Sequence, residues 1–327
     1  MPSLTMIEAI YQGLSEAMES DPRVVNLGED IGLAGGVFKV TEGLQEAFGE
    51  ERVIDSPLSE SALIGVAIGM SLNGLRPVAE IQFADFIHSA LDQIMNEAAK
   101  MRYRSNNGWH SPIVIRVPYG AGVHGGLYHS QSIEALLAHI PGLKIVAPSN
   151  PYDAKGLLKA AIYDEDPVIY LEHKKAYRLI RGDVPQSDYT VPIGKAEVRR
   201  KGEDLTVIAY GLMLHYALQA GKSLAEEGID AEILDLRTLA PIDKEAIFES
   251  ARKTGKVLIV HEDNKTLGMG AEIASLIMEE AFDYLDAPVV RLAAPDIPAM
   301  PYAPELEEFC LPDTENIKTA MRELAAR

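Results

Sequence analysis

The sequence predicts an α/β protein made of two parallel-sheet domains. The chain has 327 residues, more than one ordinary hydrophobic core accommodates. Short apolar strands alternate with stretches of helical length, a rhythm typical of right-handed crossovers in a doubly wound sheet. That rhythm breaks once, at residues 182–192, and then resumes. We therefore predict a first domain over residues 1–185, a linker over residues 186–192 and a second domain over residues 193–327.

The first predicted domain opens with a capping-box pattern at Thr5, followed by apolar residues at helical spacing. A nearly uncharged helix is predicted over Ala62–Asn73, because Ser56-Pro57 suits a helix entry. The stretch Phe83–Arg104 is predicted as one long helix that ends on basic residues. The remaining predicted strands are Val24–Leu27, Arg52–Ile54, Pro77–Gln82, Ile113–Val117, Leu143–Val146 and Val168–Leu171, and the remaining helices are Glu42–Phe48, Ser132–His139 and Pro151–Tyr163.

The second predicted domain repeats the alternation on a smaller scale. Its predicted strands are Leu205–Tyr210, Ala231–Leu236, Val257–Val260 and Val289–Leu292, and its predicted helices are Leu214–Glu227, Lys244–Lys253, Gly270–Phe282 and Thr314–Ala325. The proline-rich stretch Pro295–Pro304 has neither pattern, and we expect packing alone to order it.

Composition narrows the classes of function. The net charge of −19 argues against nucleic acid and anionic membranes, and it leaves room for a basic protein partner. No apolar run reaches membrane-spanning length, and the N-terminal MPSLTMIEAI lacks the basic and apolar regions of a signal peptide. The single cysteine, Cys310, excludes an internal disulfide. It therefore predicts a reducing compartment, the cytoplasm.

Polar and aromatic residues follow several predicted strands of the first domain. Ligands gather beyond the carboxyl ends of parallel strands, where we find Glu29, Glu60, Gln82, Phe86 and His129. Each residue alone has a plain structural interpretation. An acid is favourable at a helix N-terminus, loop acids are usually solvated and most aromatic residues belong to a core. Their joint placement at one edge favours a binding site.

Two other sequence patterns do not indicate a binding site. The run Gly120–Gly125 matches G-x-G-x-x-G, but it does not open a helix, and no acid ends a second strand at the required distance. The pair His261-Glu262 lacks a second histidine one turn on, so zinc is not predicted.

Several runs of the sequence resemble one known family, the beta subunits of the thiamine-diphosphate-dependent 2-oxoacid dehydrogenases. The resemblance covers essentially the whole chain. The runs that carry it lie at residues 28–30, 35–38, 57–60, 80–85, 127–132, 141–144, 153–158 and 235–238. It implies a pyrimidine-binding domain followed by a transketolase C-terminal domain.

The resemblance assigns roles around the cofactor. Glu60 matches the glutamate that hydrogen-bonds the aminopyrimidine ring of thiamine diphosphate and thereby promotes loss of the thiazolium proton. Gln82 and Phe86 match positions that flank this ring, and Phe86 would offer it an aromatic face. Leu58 would contact the ring mainly through its backbone.

Two further residues receive roles from the resemblance. His129 matches a histidine near the thiazolium end, implicated in acyl transfer to the lipoyl group. Glu29 matches a second acid, buried on the route between paired active sites. We therefore expect Glu60, His129 and Glu29 to be the catalytic residues.

One feature of the complete enzyme is absent from this sequence. The family holds the diphosphate and its magnesium through a G-D-G…N motif on the alpha subunit, and no Gly-Asp-Gly occurs here. The resemblance therefore implies half a site, an alpha-two beta-two heterotetramer and an acidic C-terminal domain that docks a basic segment of the dihydrolipoyl acyltransferase core.

The resemblance also implies a potassium ion in the first domain. It would be bound largely through backbone carbonyls near Ile113, Ala161, Asp164 and Asp166. Val114 departs from the pattern, because some relatives have a hydroxyl there.

The substrate is a narrower question. Runs at residues 35–38, 83–86, 126–129 and 299–304 look closer to the branched-chain enzymes, which oxidise 3-methyl-2-oxobutanoate, than to the pyruvate enzymes. Pyruvate and acetoin dehydrogenases remain the alternatives. A non-catalytic scaffold and a half-transketolase that transfers ketol groups to sugars are rivals of another kind.

Overall fold

A computed structural model describes all residues, Met1–Arg327, and the chain forms two compact units. Unit 1 comprises Met1–Tyr119 and Leu136–Ile193, and unit 2 comprises Gly120–Ala135 and Gly194–Arg327. The segment Gly120–Ala135 therefore groups with the C-terminal residues, although it lies within the predicted first domain. None of the helices has the length and apolar character needed to cross a bilayer.

Unit 1 is built on a parallel sheet. Its strands are β2 (Val24–Gly28), β3 (Val53–Asp55), β4 (Arg76–Glu80), β5 (Val114–Tyr119), β6 (Lys144–Val146) and β7 (Val168–His173). They lie in the order β6-β7-β5-β4-β2-β3, and every pairing among them is parallel. A separate antiparallel pair joins β1 (Ser3–Thr5) to β8 (Arg181–Asp183). The parallel sheet confirms the predicted fold class.

The helices of the N-terminal part largely match the sequence patterns. They are α1 (Met6–Ser20), α2 (Leu44–Phe48), α3 (Glu60–Leu72), α4 (Met101–Arg104), α5 (Glu134–Ala138), α6 (Pro151–Ile162) and α7 (Ala176–Leu179). The capping box at Thr5 is present. The predicted helix entry at Ser56-Pro57 is wrong: α3 begins at Glu60, Ser59 is its N-cap and no side chain caps it.

The predicted long helix over Phe83–Arg104 is also wrong. The stretch forms a 3-10 helix at Ala84–Ala90, a π-helical turn at Gln93–Ala98 and the short helix α4. Backbone hydrogen bonds join residues three positions apart in a 3-10 helix, four in an α-helix and five in a π-helix. Over one or two turns, these helices place apolar residues at similar intervals along the sequence. The sequence pattern therefore could not tell them apart.

The predicted linker is part of unit 1. Val191 within it, and Val184 just before it, are buried in the same hydrophobic cluster as residues of α1 and α6. The Tyr189 ring stacks on Tyr152 with 4.6 Å between centroids. The Val191 N–H donates to the carbonyl of Gly156 at 3.0 Å, at a point where a side chain on Gly156 would collide with Val191.

Unit 2 has a second, smaller sheet. Its strands are β9 (Glu197–Arg200), β10 (Leu205–Ala209), β11 (Ala231–Asp235), β13 (Val257–Asn264) and β14 (Val290–Ala294), and β12 (Thr238–Ala240) lies outside it. The order is β14-β13-β10-β11-β9, with β9 antiparallel at one edge. The helices are α8 (Gly211–Ala225), α9 (Lys244–Thr254), α10 (Met269–Glu280), α11 (Pro304–Cys310) and α12 (Thr314–Ala325). The strand β9 is charged, as edge strands often are, and its sequence gave no strand signal.

A buried ionic cluster lies among the central strands of unit 1. Arg116 on β5 donates to Glu80 Oε2 at 2.5 Å and to both oxygens of Glu172, at 2.7 and 2.8 Å. The Tyr177 hydroxyl donates to Glu172 Oε2 at 2.5 Å. All three ionic side chains are at most 4 % exposed. One guanidinium therefore balances two carboxylates that water does not reach.

Replacing Arg116 with methionine tests this balance. Arg116→Met leaves two buried carboxylates without a cation, so we expect the free energy of unfolding to fall by about 3–5 kcal/mol. Urea denaturation measures the change. The control is Arg23→Met, which breaks the Asp21 pair where the arginine side chain is 56 % exposed and should cost less than about 1 kcal/mol. Equal losses in the two variants would contradict the prediction.

Candidate active site

Glu60 stands at the junction between β3 and α3. It is the first residue of α3, where the positive end of the helix dipole favours a carboxylate. Its side chain is half-buried, and the Ser89 hydroxyl donates to Oε2 at 3.2 Å. The chain supplies no hydrogen bond to Oε1. The residue thus presents one unused acceptor oxygen beside a helix N-terminus.

Glu29 and Gln82 meet at the same edge of the sheet. Gln82 follows β4, and its Nε2 donates to the Glu29 carbonyl at 3.3 Å. Burial raises the pKa of the Glu29 carboxyl, and the nearby charges of Asp30 and Glu60 raise it further. The negative charge of Glu60 therefore makes ionisation of Glu29 less favourable.

The loop that carries Glu29 is fixed by close backbone contacts. The Ser56 N–H donates to the Gly28 carbonyl at 2.9 Å, and Asp55 Oδ1 accepts from the Gly32 N–H at 2.6 Å. A Cβ on Gly28 would lie 3.1 Å from the Glu80 carbonyl and 2.9 Å from Ile31. Glycine therefore lets the ends of β2 and β4 approach each other.

Aromatic side chains border this edge. The half-buried Phe86 ring packs edge-to-face on Phe83, with centroids 5.5 Å apart, and Phe83 packs on Phe38 at 5.4 Å. Leu58, two residues before Glu60, is 72 % exposed. Unit 1 thus brings Glu29, Glu60, Gln82 and Phe86 to one edge, with Leu58 on the approach to it.

Ser89 is a site residue that the sequence did not reveal. It lies within the 3-10 helix at Ala84–Ala90. Because that stretch was expected to continue as a regular helix, no pattern pointed to contact with a residue 29 positions earlier.

His129 belongs to unit 2. A loop closed by the hydrogen bond from the Gly120 N–H to the Gln131 carbonyl, at 3.0 Å, carries it. A single helical turn at Gly126–Tyr128 precedes the histidine, and its side chain is half-buried.

The side chains of the expected potassium site are already paired. Both carboxylate oxygens of Asp164 contact Lys144 Nζ, at 2.7 and 2.6 Å. Asp166 Oδ1 accepts from Arg102 Nε at 2.5 Å. These carboxylates are neutralised by the chain itself.

The backbone oxygens of the same set also have donors. The carbonyl of Ile113 accepts from the Val168 N–H at 3.0 Å, and that of Ala161 from the Asp164 N–H at 3.2 Å. The Asp164 carbonyl accepts from Arg76 Nη1 at 3.1 Å. A carbonyl has two lone pairs; Ile113 and Asp164 each use one of theirs in these bonds, whereas the Ala161 carbonyl also accepts from the Tyr163 N–H. No group of three or more His, Cys, Asp or Glu side chains is arranged to hold a metal.

Comparison with known proteins first defines the class. Residues 2–180 match the family described as "Transketolase, pyrimidine binding domain", and residues 194–317 match "Transketolase, C-terminal domain". A solved structure titled "Split gene transketolase, inactive beta4 tetramer" superposes with a TM-score of 0.80 at 27 % identity, over 99 % of this chain and 98 % of that one. The protein is therefore a two-domain, transketolase-type chain.

Curated relatives narrow the family. The chain is 60 % identical to the 2-oxoisovalerate dehydrogenase subunit beta of Bacillus subtilis (strain 168), over 99 % of each protein. It is 47 % identical to the pyruvate dehydrogenase E1 component subunit beta of the same organism, again over 99 % of each. The chain belongs to the beta subunits of the thiamine-diphosphate-dependent 2-oxoacid dehydrogenases, and it is more similar to the branched-chain member than to the pyruvate member.

Proposed function

We propose that this chain is the beta subunit of a branched-chain 2-oxoacid dehydrogenase. The enzyme would decarboxylate 3-methyl-2-oxobutanoate oxidatively and pass the 2-methylpropanoyl group to the lipoyl group of the acyltransferase core. The observation that carries the proposal is the identity of 60 % to a 2-oxoisovalerate dehydrogenase subunit, against 47 % to a pyruvate dehydrogenase subunit. A pyruvate or acetoin dehydrogenase is the alternative.

Glu60 is the residue we propose to bind the aminopyrimidine ring of thiamine diphosphate. The half-buried carboxylate fits that task, because Oε1 has no donor within the chain and can accept a hydrogen bond from a ring nitrogen. When bound, this cofactor supplies the electron sink that decarboxylation of a 2-oxoacid requires. Glu60 would favour the protonation state of the ring that takes up the thiazolium proton.

The neighbouring residues complete our proposed half-site. Gln82 and Phe86 would flank the ring, and Leu58 would contact it through its backbone. Glu29, whose pKa is raised chiefly by burial, would hold or pass a proton more readily than an ordinary carboxyl. Because the chain has no Gly-Asp-Gly, the diphosphate and magnesium would be bound by the alpha subunit.

His129 is proposed to act in acyl transfer to the lipoyl group. When the acyl group forms its bond to one lipoyl sulfur, the S–S bond breaks and the other sulfur needs a proton, which a protonated imidazole can donate.

If potassium binds, backbone carbonyl oxygens near Ile113, Ala161, Asp164 and Asp166 are its proposed ligands. The carboxylates of Asp164 and Asp166 are paired with Lys144 and Arg102.

Partners and location follow from the same proposal. We propose an alpha-two beta-two heterotetramer located in the cytoplasm. The acidic C-terminal domain would dock a basic segment of the dihydrolipoyl acyltransferase core, consistent with the net charge of −19.

Reconstitution tests the half-site and the substrate together. Isothermal titration calorimetry should detect no thiamine diphosphate binding to the purified chain until the alpha subunit is added. The assembled enzyme should then have a kcat/KM for 3-methyl-2-oxobutanoate at least about tenfold above that for pyruvate, because a pocket shaped for a branched chain gains from the extra methyl groups.

Three results would contradict the proposal. Tight cofactor binding by the lone chain would refute the half-site. A preference for pyruvate would select the alternative substrate. Turnover of sugar phosphates without lipoamide acylation would select a transketolase-like reaction.

A second prediction separates an enzyme subunit from a scaffold. Glu60→Gln should keep assembly with the alpha subunit and lower decarboxylation at least about 100-fold, the usual effect of removing a general acid–base group. Ser89→Ala keeps the Glu60 carboxylate, removes the hydroxyl contacts to Glu60 Oε2 and to the Phe86 carbonyl, and should cost less than about tenfold. Unchanged turnover in Glu60→Gln would favour the scaffold.

A third prediction tests the role of His129. In His129→Ala, acylation of the lipoyl domain should fall at least about 100-fold, while decarboxylation with an artificial electron acceptor should fall much less. The control is His139→Ala, because His139 is an exposed histidine near the end of α5. Equal losses of both half-reactions in His129→Ala would count against the assignment.

A further inference from the structure

One buried carboxylate of unit 2 holds the loop that carries His129. We call residues 120–131 the histidine loop. Glu307, on α11, accepts from the Gly122 N–H through Oε1 at 2.8 Å. Its Oε2 accepts from the His124 N–H at 3.3 Å and lies 2.6 Å from His124 Nδ1. Both oxygens of one side chain are therefore used by the histidine loop.

Because Glu307 is buried, these hydrogen bonds are needed to stabilise its carboxylate. The Glu307 side chain is 1 % exposed, whereas the His124 side chain is 50 % exposed. A carboxylate removed from water needs compensating donors, and hydrogen bonds to an ionised acceptor are stronger than neutral ones. Because these donors come from the histidine loop, moving the loop would leave the charge unsatisfied.

The histidine loop is also tied down on either side of Gly122 and His124. The Ala121 N–H donates to Glu262 Oε1 on β13. At Gly125, a Cβ would lie 2.7 Å from the His129 carbonyl oxygen and 2.8 Å from His129 Cβ. The backbone at Gly125 therefore supports His129 directly, one residue after the segment that Glu307 holds.

The backbone conformation of His124 indicates that the surrounding residues hold the loop in place. Its φ angle is +56°, a region that residues other than glycine rarely occupy and that is maintained only where the surroundings enforce it. The backbone and ring nitrogens of this residue both face Glu307. The carboxylate stabilises the turn that leads to Gly125.

We propose that Glu307 is a positioning residue for His129. It acts by holding Gly122 and His124, so that the backbone at Gly125 supports the histidine in its working position. This inference rests on the proposed role of His129 in acyl transfer. Glu307 itself acts through the loop and takes no part in the chemistry.

The test is Glu307→Gln in the assembled enzyme. The amide has nearly the same shape, but its NH₂ group faces a backbone N–H on one side whichever way it is oriented. Acylation of the lipoyl domain should fall at least tenfold, and decarboxylation with an artificial electron acceptor should change less than threefold. Amide hydrogen exchange should rise in peptides covering residues 120–131 and nowhere else.

The matched control is Glu308→Gln. Glu308 is the exposed neighbour on α11, and its variant should leave both half-reactions and the exchange pattern unchanged. If Glu307→Gln does not fold, His124→Ala decides, because it removes the 2.6 Å contact and keeps the carboxylate. Unchanged exchange at residues 120–131 in His124→Ala would then overturn the proposal.

His129→Ala, measured in parallel, separates the two possible failures. Equal losses of both half-reactions in His129→Ala would refute the proposed role of the histidine, and the exchange result would still judge the loop contact. If His129→Ala loses acylation selectively and Glu307→Gln loses both half-reactions equally, the positioning role is wrong. Unchanged exchange in a folded Glu307→Gln would overturn it as well.

Discussion

The parallel pairing of β2 with β3 and β4 is the constraint on which the candidate site depends. Gly28 at the end of β2 is in register with Asp55 on one side and with Glu80 on the other. Neighbouring strands lie about 4.8 Å apart, so the residues that follow these ends are brought close together. Glu29, Glu60 and Gln82 are far apart in the chain, and the register alone makes them neighbours.

Buried charges support the two units in different ways. In unit 1, Arg116 is paired with Glu80 and Glu172. This ties together the central strands β4, β5 and β7, just before the edge that carries Gln82. In unit 2, the buried carboxylate of Glu307 accepts hydrogen bonds from N–H groups of a loop instead of pairing with a side chain on a neighbouring strand. A buried ion costs free energy unless its partners stay in place, so each arrangement resists local movement.

The proposed sharing of the cofactor site between two subunits agrees with the residues that this chain contains. It has an acid with a free acceptor oxygen and an aromatic border, both suited to a neutral heterocycle. It has no Gly-Asp-Gly motif for a diphosphate. Its relatives are beta subunits over nearly their full length, which supports the proposal that an alpha subunit supplies the complementary half.

Residue patterns were sufficient for the parts that depend on local order. The alternation of strands and helices indicated two α/β domains. The capping box at Thr5 could be recognised because its partners, Thr5 and Glu8, lie within one turn. The runs 57–60 and 127–132 identified the family and the expected positions of Glu60 and His129. A capping box and the ends of short apolar strands are encoded by neighbouring residues.

Contacts between distant residues were decided by the tertiary structure. The break of Phe83–Arg104 into three helical forms placed Ser89 beside Glu60, and no periodicity distinguishes such turns. The grouping of Gly120–Ala135 with the C-terminal unit, and its contact with Glu307 some 185 residues away, depend on loop packing. A hydrogen bond from a backbone N–H does not depend on the side chain of the donor residue. The residue types in the loop therefore could not indicate that Glu307 is its partner.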